Sequence, residues 1–301
     1  MAAANYLPEI LETTEAERLA TGFKFTEGPL WHPDGFYYFV DLRSNRLYKI
    51  VPGKKEELVR ETQEGNGTTF DLQGRVIHCE HNLRAVTRLN PDGKVEVIAD
   101  RYKGARLNKP NDVVCRSDGS LFFTNPEKRV PYDQREAPSD AADSNVWDTA
   151  GVYRIAPNGE VSQTALCEYP NGLAFSPDER ILYVANTRSS KHIHKLEIDT
   201  AGKLTKRAIF CDMNEGDEPG IPDGLKVDSK GRVYCTGPGG IWVMNPDGKH
   251  IGTIKFPEQA VNFAFGGPDL KTLFCCAHTS VYTLRVTTPG NPHPWYKLYR
   301  K

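Results

Sequence analysis

The sequence predicts an all-β fold: a six-bladed β-propeller, four antiparallel strands per blade, with an N-terminal strand closing the ring in the last blade. Three observations predict it. Short runs rich in Val, Ile, Phe and Tyr alternate with Pro/Asp/Asn/Gly turns, and helical periodicity is nearly absent. Tight turns recur at Asp34, Gln73, Asp118, Asp178, Lys230 and Asp269, and Gly follows in four of the six. The first five of these hairpins are each followed by a second hairpin, so that each unit is a four-stranded sheet.

The second hairpins justify the blades in order. Their incoming strands begin at Leu47, Val86, Val152, Ile193 and Ile241, and their turns fall at Gly53, Gly93, Gly159, Gly202 and Gly248. The sixth unit has an incoming strand at Val281 but no fourth strand after it. Residues 16–23 precede the first unit just as residues 57–62 precede the second, so they supply the missing strand. Closure of this kind removes a long exposed sheet edge. The expected organisation is one propeller domain over residues 16–286, an extension over 1–15 and a tail over 287–301.

Composition narrows the function. The 301 residues carry 38 basic and 39 acidic side chains, a net charge of −1. That balance leaves no electrostatic footprint for nucleic acid or an anionic membrane. The basic cluster Lys297, Arg300 and Lys301 reads as a solvated end. No apolar run approaches the roughly 20 residues needed to span a bilayer. Residues 1–10 show neither a basic nor an apolar signal region. The seven cysteines include no C-x-x-C and mostly sit in apolar runs, which fits buried free thiols. The expected location is cytoplasmic, and the expected partner is a small molecule.

Seven residues before each tight turn stand Glu27, Asn66, Asn111, Asn171, Asp223 and Asn262. The turns alone define this frame, yet every position bears a carboxylate or an amide. In a propeller these positions open the innermost strands, so six oxygen-bearing side chains ring one mouth of the channel. Asn and Asp also suit plain blade-entry turns, a reading that fits Asn66 and Asn262 as readily as the ring does. It does not account for Glu27. Two carboxylates in one narrow site, Glu27 and Asp223, need a cation or a shared proton. The available donors are oxygens: these carboxylates and the amides of Asn171 and Asn111. Hard oxygen donors favour Ca²⁺, Mg²⁺ or Mn²⁺ over a Zn²⁺ site of the usual kind.

The second strand of each blade returns to the same mouth. Its end places Asp41, Glu80, His81, Asn125, Asn186, Thr187 and His278 at the entrance. His81 and His278 each suit substrate binding, proton transfer or a plain hydrogen-bonded position. The widest gap in the repeat, 60 residues from Asn111 to Asn171, holds a long loop at 126–150 that reads as a lid.

These segments resemble the gluconolactonase / senescence marker protein / luciferin-regenerating enzyme family over roughly residues 16–286. The matching motifs are Phe25-Thr26-Glu27-Gly28-Pro29, Leu107-Asn108-Lys109-Pro110-Asn111-Asp112, Pro170-Asn171-Gly172-Leu173 and Pro222-Asp223-Gly224-Leu225-Lys226. The resemblance implies one divalent metal ion, Ca²⁺ foremost with Mg²⁺, Mn²⁺ or Zn²⁺ as options, held by Glu27, Asn171 and Asp223. It implies Asp223 as the acid/base and Asn111 as a substrate or additional metal contact; Asn125, His81 and Lys109 are further expected substrate contacts. The implied reaction is hydrolysis of an aldonolactone, with the metal polarising the carbonyl and a carboxylate activating water. A phosphotriesterase on the same site and a non-catalytic, cation-stabilised binding propeller are the alternatives. Two positions depart from the family pattern: Asn125 and Asn186 stand where Asp is usual. Both are expected to lower the negative charge of the entrance.

Overall fold

The structure, a computed structural model, describes residues 6–126, 150–188, 190–215 and 217–299. Its main chain forms six four-stranded antiparallel sheets. Their innermost strands are Thr26–His32, Gly65–Phe70, Val113–Cys115, Pro170–Phe175, Leu225–Val227 and Asn262–Gly266. These six strands contact one another in cyclic order, the sixth touching the first, so the sheets are the blades of a propeller.

In the last blade the outermost strand is Glu17–Thr21. It runs antiparallel to Ser280–Arg285, with Glu17 opposite Thr283 and Thr21 opposite Ser280. The chain therefore closes its ring with the strand expected from residues 16–23. Each tight turn also folds as the repeat requires. Gly35, Gly74, Gly119, Glu179, Gly231 and Leu270 each donate a backbone N–H three residues back, and each has positive φ. Glycine adopts that conformation freely; Glu179 and Leu270 hold it at a steric cost.

The core is divided into six layers, one between each pair of neighbouring blades. Phe122 packs with Phe175 and Leu182 of blade four, while the next residue, Phe123, packs with Ile77 and Val86 of blade two. This is the two-residue alternation of a strand buried on both faces. All seven cysteines are free and buried in these layers or beside them. No helix among the described residues is long and apolar enough to cross a membrane.

Both flanking segments pack against the ring. Ile10 and Leu11 join the layer between blades five and six. Residues 287–299 cross the face opposite the ring of oxygen-bearing side chains. Asn291 donates its N–H to Val227, and the Tyr296 hydroxyl donates to the Trp31 carbonyl at 2.6 Å. Trp295 is buried against Phe70, ring centroids 4.5 Å apart. Beneath this strap the far half of the channel keeps a cavity of about 140 Å³, lined by Trp31, Phe175, Phe265 and Lys226 among others.

Candidate active site

A hydrogen bond of fixed span sets the approach to the ring in four blades. A side chain at the end of the second strand accepts from a backbone N–H 17 residues earlier. Asp41 accepts from Lys24 (and Phe25), Glu80 from Gln63, Asn125 from Asn108 and Asn186 from Tyr169, at 2.7–3.1 Å. All four acceptor side chains are buried. They fix the segments that lead into Glu27, Asn66, Asn111 and Asn171. Asn186 also donates its amide to the carbonyls of Arg188 and Ser190, both at 2.8 Å, which a carboxylate cannot do. The departures at Asn125 and Asn186 thus bear on how the backbone is held.

In four blades the neighbouring blade approaches so closely at the ring that only glycine fits after the ring residue. A Cβ on Gly28 would stand 2.2 Å from the Asn66 carbonyl oxygen, and one on Gly172 would stand 2.2 Å from that of Asp223. The Gly172 N–H uses this proximity to bond the Asp223 carbonyl at 3.0 Å. Glycine follows the ring residue in four blades, at Gly28, Gly67, Gly172 and Gly224.

Glu27 is buried. Its Oε2 accepts from the Gly28 N–H at 2.8 Å and from the Asn262 amide at 2.9 Å. Burial nevertheless pushes its carboxyl up to about 7. The charge of Asp112 adds to the rise, while those two hydrogen bonds and the Lys226 ammonium oppose it. Asp223 stands half-buried, its backbone N–H held by Thr236 Oγ1 at 3.1 Å. Enclosure by the protein lifts its carboxyl well above the usual range, and the charges of Glu27 and Asp112 lift it further. A hydrogen bond from Asn171 and the charge of Lys226 pull the other way. Asn171 also donates to Thr187 Oγ1 at 3.1 Å, and that hydroxyl donates to the Pro222 carbonyl at 2.8 Å. Glu27, Asn171 and Asp223 therefore come from three blades into one electrostatically linked group.

This group fits a hard divalent cation. It has two carboxylates in mutual repulsion, an amide beside them and, nearby, a buried Asn66 Oδ1 with no hydrogen-bond partner. Among the described residues no three His, Cys, Asp or Glu side chains form a metal-holding group, so a cation here depends on asparagine oxygens as well.

The remaining expected contacts spread around the same mouth. Asn111 and Lys109 are half-buried on the segment that Asn125 clamps. His81 lies with its Nε2 3.2 Å from the Asn66 amide nitrogen. Burial, with the nearby charge of Lys109, pushes its imidazole down to about 3, so it is neutral at physiological pH and a poor proton acceptor. His278 is exposed and lies against the Phe25 ring. The expected lid at 126–150 lies, apart from its two end residues, outside the described residues. Two charged residues near the ring escaped the sequence reading, Asp112 and Lys226. Asp112 had a signal: it occupies the position where four other blades have glycine.

A six-bladed propeller with carboxylates and amides at one mouth presents oxygen atoms suited to a small polar ligand. Residues 25–279 match the family described as SMP-30/Gluconolactonase/LRE-like region, and the chain belongs to that family. It is 32% identical to the gluconolactonase of Zymomonas mobilis over 302 residues, covering 92% of this chain and 83% of that protein. It is 29% identical to pentonolactonase XacC of Haloferax volcanii, covering 84% and 81% of the two chains. Among solved structures, XC5397 of Xanthomonas campestris, described as a gluconolactonase, matches with a TM-score of 0.81 at 31% identity. That match covers 95% of this chain and 93% of the other.

Proposed function

We propose that this protein is a lactonase that hydrolyses a small aldonolactone to its hydroxy acid with the help of one divalent ion, calcium foremost. The observation that carries the reading is the linked group of Glu27, Asn171 and Asp223, in which the charge of Glu27 raises Asp223 and Asn171 bonds it, at a polar mouth. Support for the substrate class comes from the two relatives named as lactonases that align over most of this chain.

Glu27, Asn171 and Asp223 would hold the ion. When bound, it supplies Lewis acidity at the lactone carbonyl and offsets the negative charge that develops there. The protein side chains do the rest. Asp223 takes the proton of the attacking water as the general base, while Asn171, bonded to both Asp223 and Thr187, orients it. Lys109, Asn111 and the neutral His81 contact the hydroxyls of the sugar. Asn125 acts through the backbone of Asn108, so that Lys109 and Asn111 project from a fixed segment. Seven free thiols fit a reducing compartment, the cytoplasm.

The test is turnover by the purified protein on hexono- and pentonolactones and on phosphotriesters, with chelator and after adding Ca²⁺ back. Lactone turnover should vanish with chelator and return with calcium, with phosphotriesters left at background. An absence of lactone turnover under every metal condition sinks the reading, and chelator-resistant turnover sinks its metal part.

Cation binding should also depend on pH. Glu27 holds its proton up to about 7, so below that value an incoming cation must displace it. Calcium affinity, measured by calorimetry, should fall about tenfold or more per pH unit below 7 and level off above. A flat profile from pH 5.5 to 8 would mean that Glu27 is not a ligand.

A further inference from the structure

Asp112 and Lys226 meet at the waist of the channel. Asp112 belongs to the lead-in of blade three and is almost fully buried. Its Oδ1 accepts from the Val113 N–H at 2.9 Å, and its Oδ2 has no hydrogen-bond partner. The nearest cation is Lys226 Nζ, from the innermost strand of blade five, at 3.6 Å. That ammonium donates to the Leu225 carbonyl at 3.0 Å, while the Lys226 side chain lines the cavity under the strap. Its charge reaches Glu27 and Asp223 as well. The pair thus lies between the oxygen-lined mouth and the strapped, largely apolar far end.

We propose that Lys226 cancels the buried charge of Asp112, so that the divalent ion meets only the two negative charges of Glu27 and Asp223. The inference rests on the metal reading above. Glu27, Asp112 and Asp223 bring three negative charges and Lys226 brings one positive charge. The remaining two negative charges are what one divalent ion neutralises. A buried site tolerates little uncompensated charge, so this balance favours a divalent over a monovalent or trivalent ion. Neither residue need touch the ion or the substrate; both act through the field at the carboxylates that do.

Calcium titration of the full chain by calorimetry at pH 8 tests this. Lys226→Met leaves three negative charges and should bind calcium about tenfold more tightly, a conservative figure for one unit charge acting across a protein site. Asp112→Asn leaves one negative charge and should bind about tenfold more weakly. The double variant restores two negative charges and should return close to the unmodified affinity. Lys226→Arg keeps the charge and should change little. If Lys226→Met alone fails to fold, the double variant against Asp112→Asn isolates the same charge, and the double should bind more tightly. The proposal is overturned if affinity does not follow net charge, for example if the double variant matches Asp112→Asn. Absence of calcium binding by the unmodified protein is a different failure: it removes the metal reading itself, and the inference with it.

Discussion

Asp223→Asn should cut lactone turnover by about 10²–10⁴-fold, the usual worth of a general base. The substitution keeps size and one oxygen donor but removes charge and basicity. Asp223 is half-buried at the mouth, receives a hydrogen bond from Asn171 and is raised by enclosure and by Glu27. Calcium should still bind, though more weakly, because Glu27 remains as the single carboxylate of the proposed ligand set. Excess calcium should therefore restore occupancy without restoring rate. Full rescue by added calcium would leave Asp223 as a ligand alone and assign the base elsewhere. An unchanged rate would remove Asp223 from the chemistry.

Gly28→Ala should destabilise the fold by about 2–5 kcal/mol, the combined scale of a backbone overlap and a forced left-handed residue. Gly28 has φ +56, and an added Cβ would meet the Asn66 carbonyl at 2.2 Å. That oxygen belongs to the neighbouring blade, so relief requires blades one and two to separate where Glu27 sits. Gly35→Ala is the control. It also has positive φ, but nothing lies within 4 Å of its added Cβ. Its cost should be the backbone term alone, about 1–2 kcal/mol. Denaturant unfolding of both variants reads the difference. Equal losses would mean that the interblade contact at Gly28 carries no energy.

The architecture was legible because its determinants are local and repeated. A turn at Asp34-Gly35 and another at Lys230-Gly231 obey the same steric rule, and a fixed offset from each leads to Glu27 and Asp223. Ring closure was legible for a similar reason: a unit lacking its fourth strand and a stray strand at the other end complete each other. What stayed hidden depends on direction in space. Asn125 and Asn186 end strands at the mouth, and sequence alone cannot say whether such side chains face solvent or turn back to a backbone N–H. The 17-residue span of their bonds is regular, but its meaning needs the paired strands to be in place. Lys226 was hidden for a different reason. It reads as an ordinary polar residue between Leu225 and Val227, and only the meeting of blades three and five sets its ammonium beside Asp112.

The pairing of Glu17–Thr21 with Ser280–Arg285 constrains how the molecule is made. Glu17–Thr21 is synthesised long before its partner strand, and the last blade cannot be completed until Ser280–Arg285 has left the ribosome. Until then Glu17–Thr21 has no Ser280–Arg285 to pair with. Its contact is among the longest in sequence that the chain can form, and such contacts repay their loop entropy only late in folding. An incomplete chain therefore presents an open arc of blades with two bare edges. Those edges offer a neighbouring chain the same backbone donors and acceptors that the molecule's own ends later join.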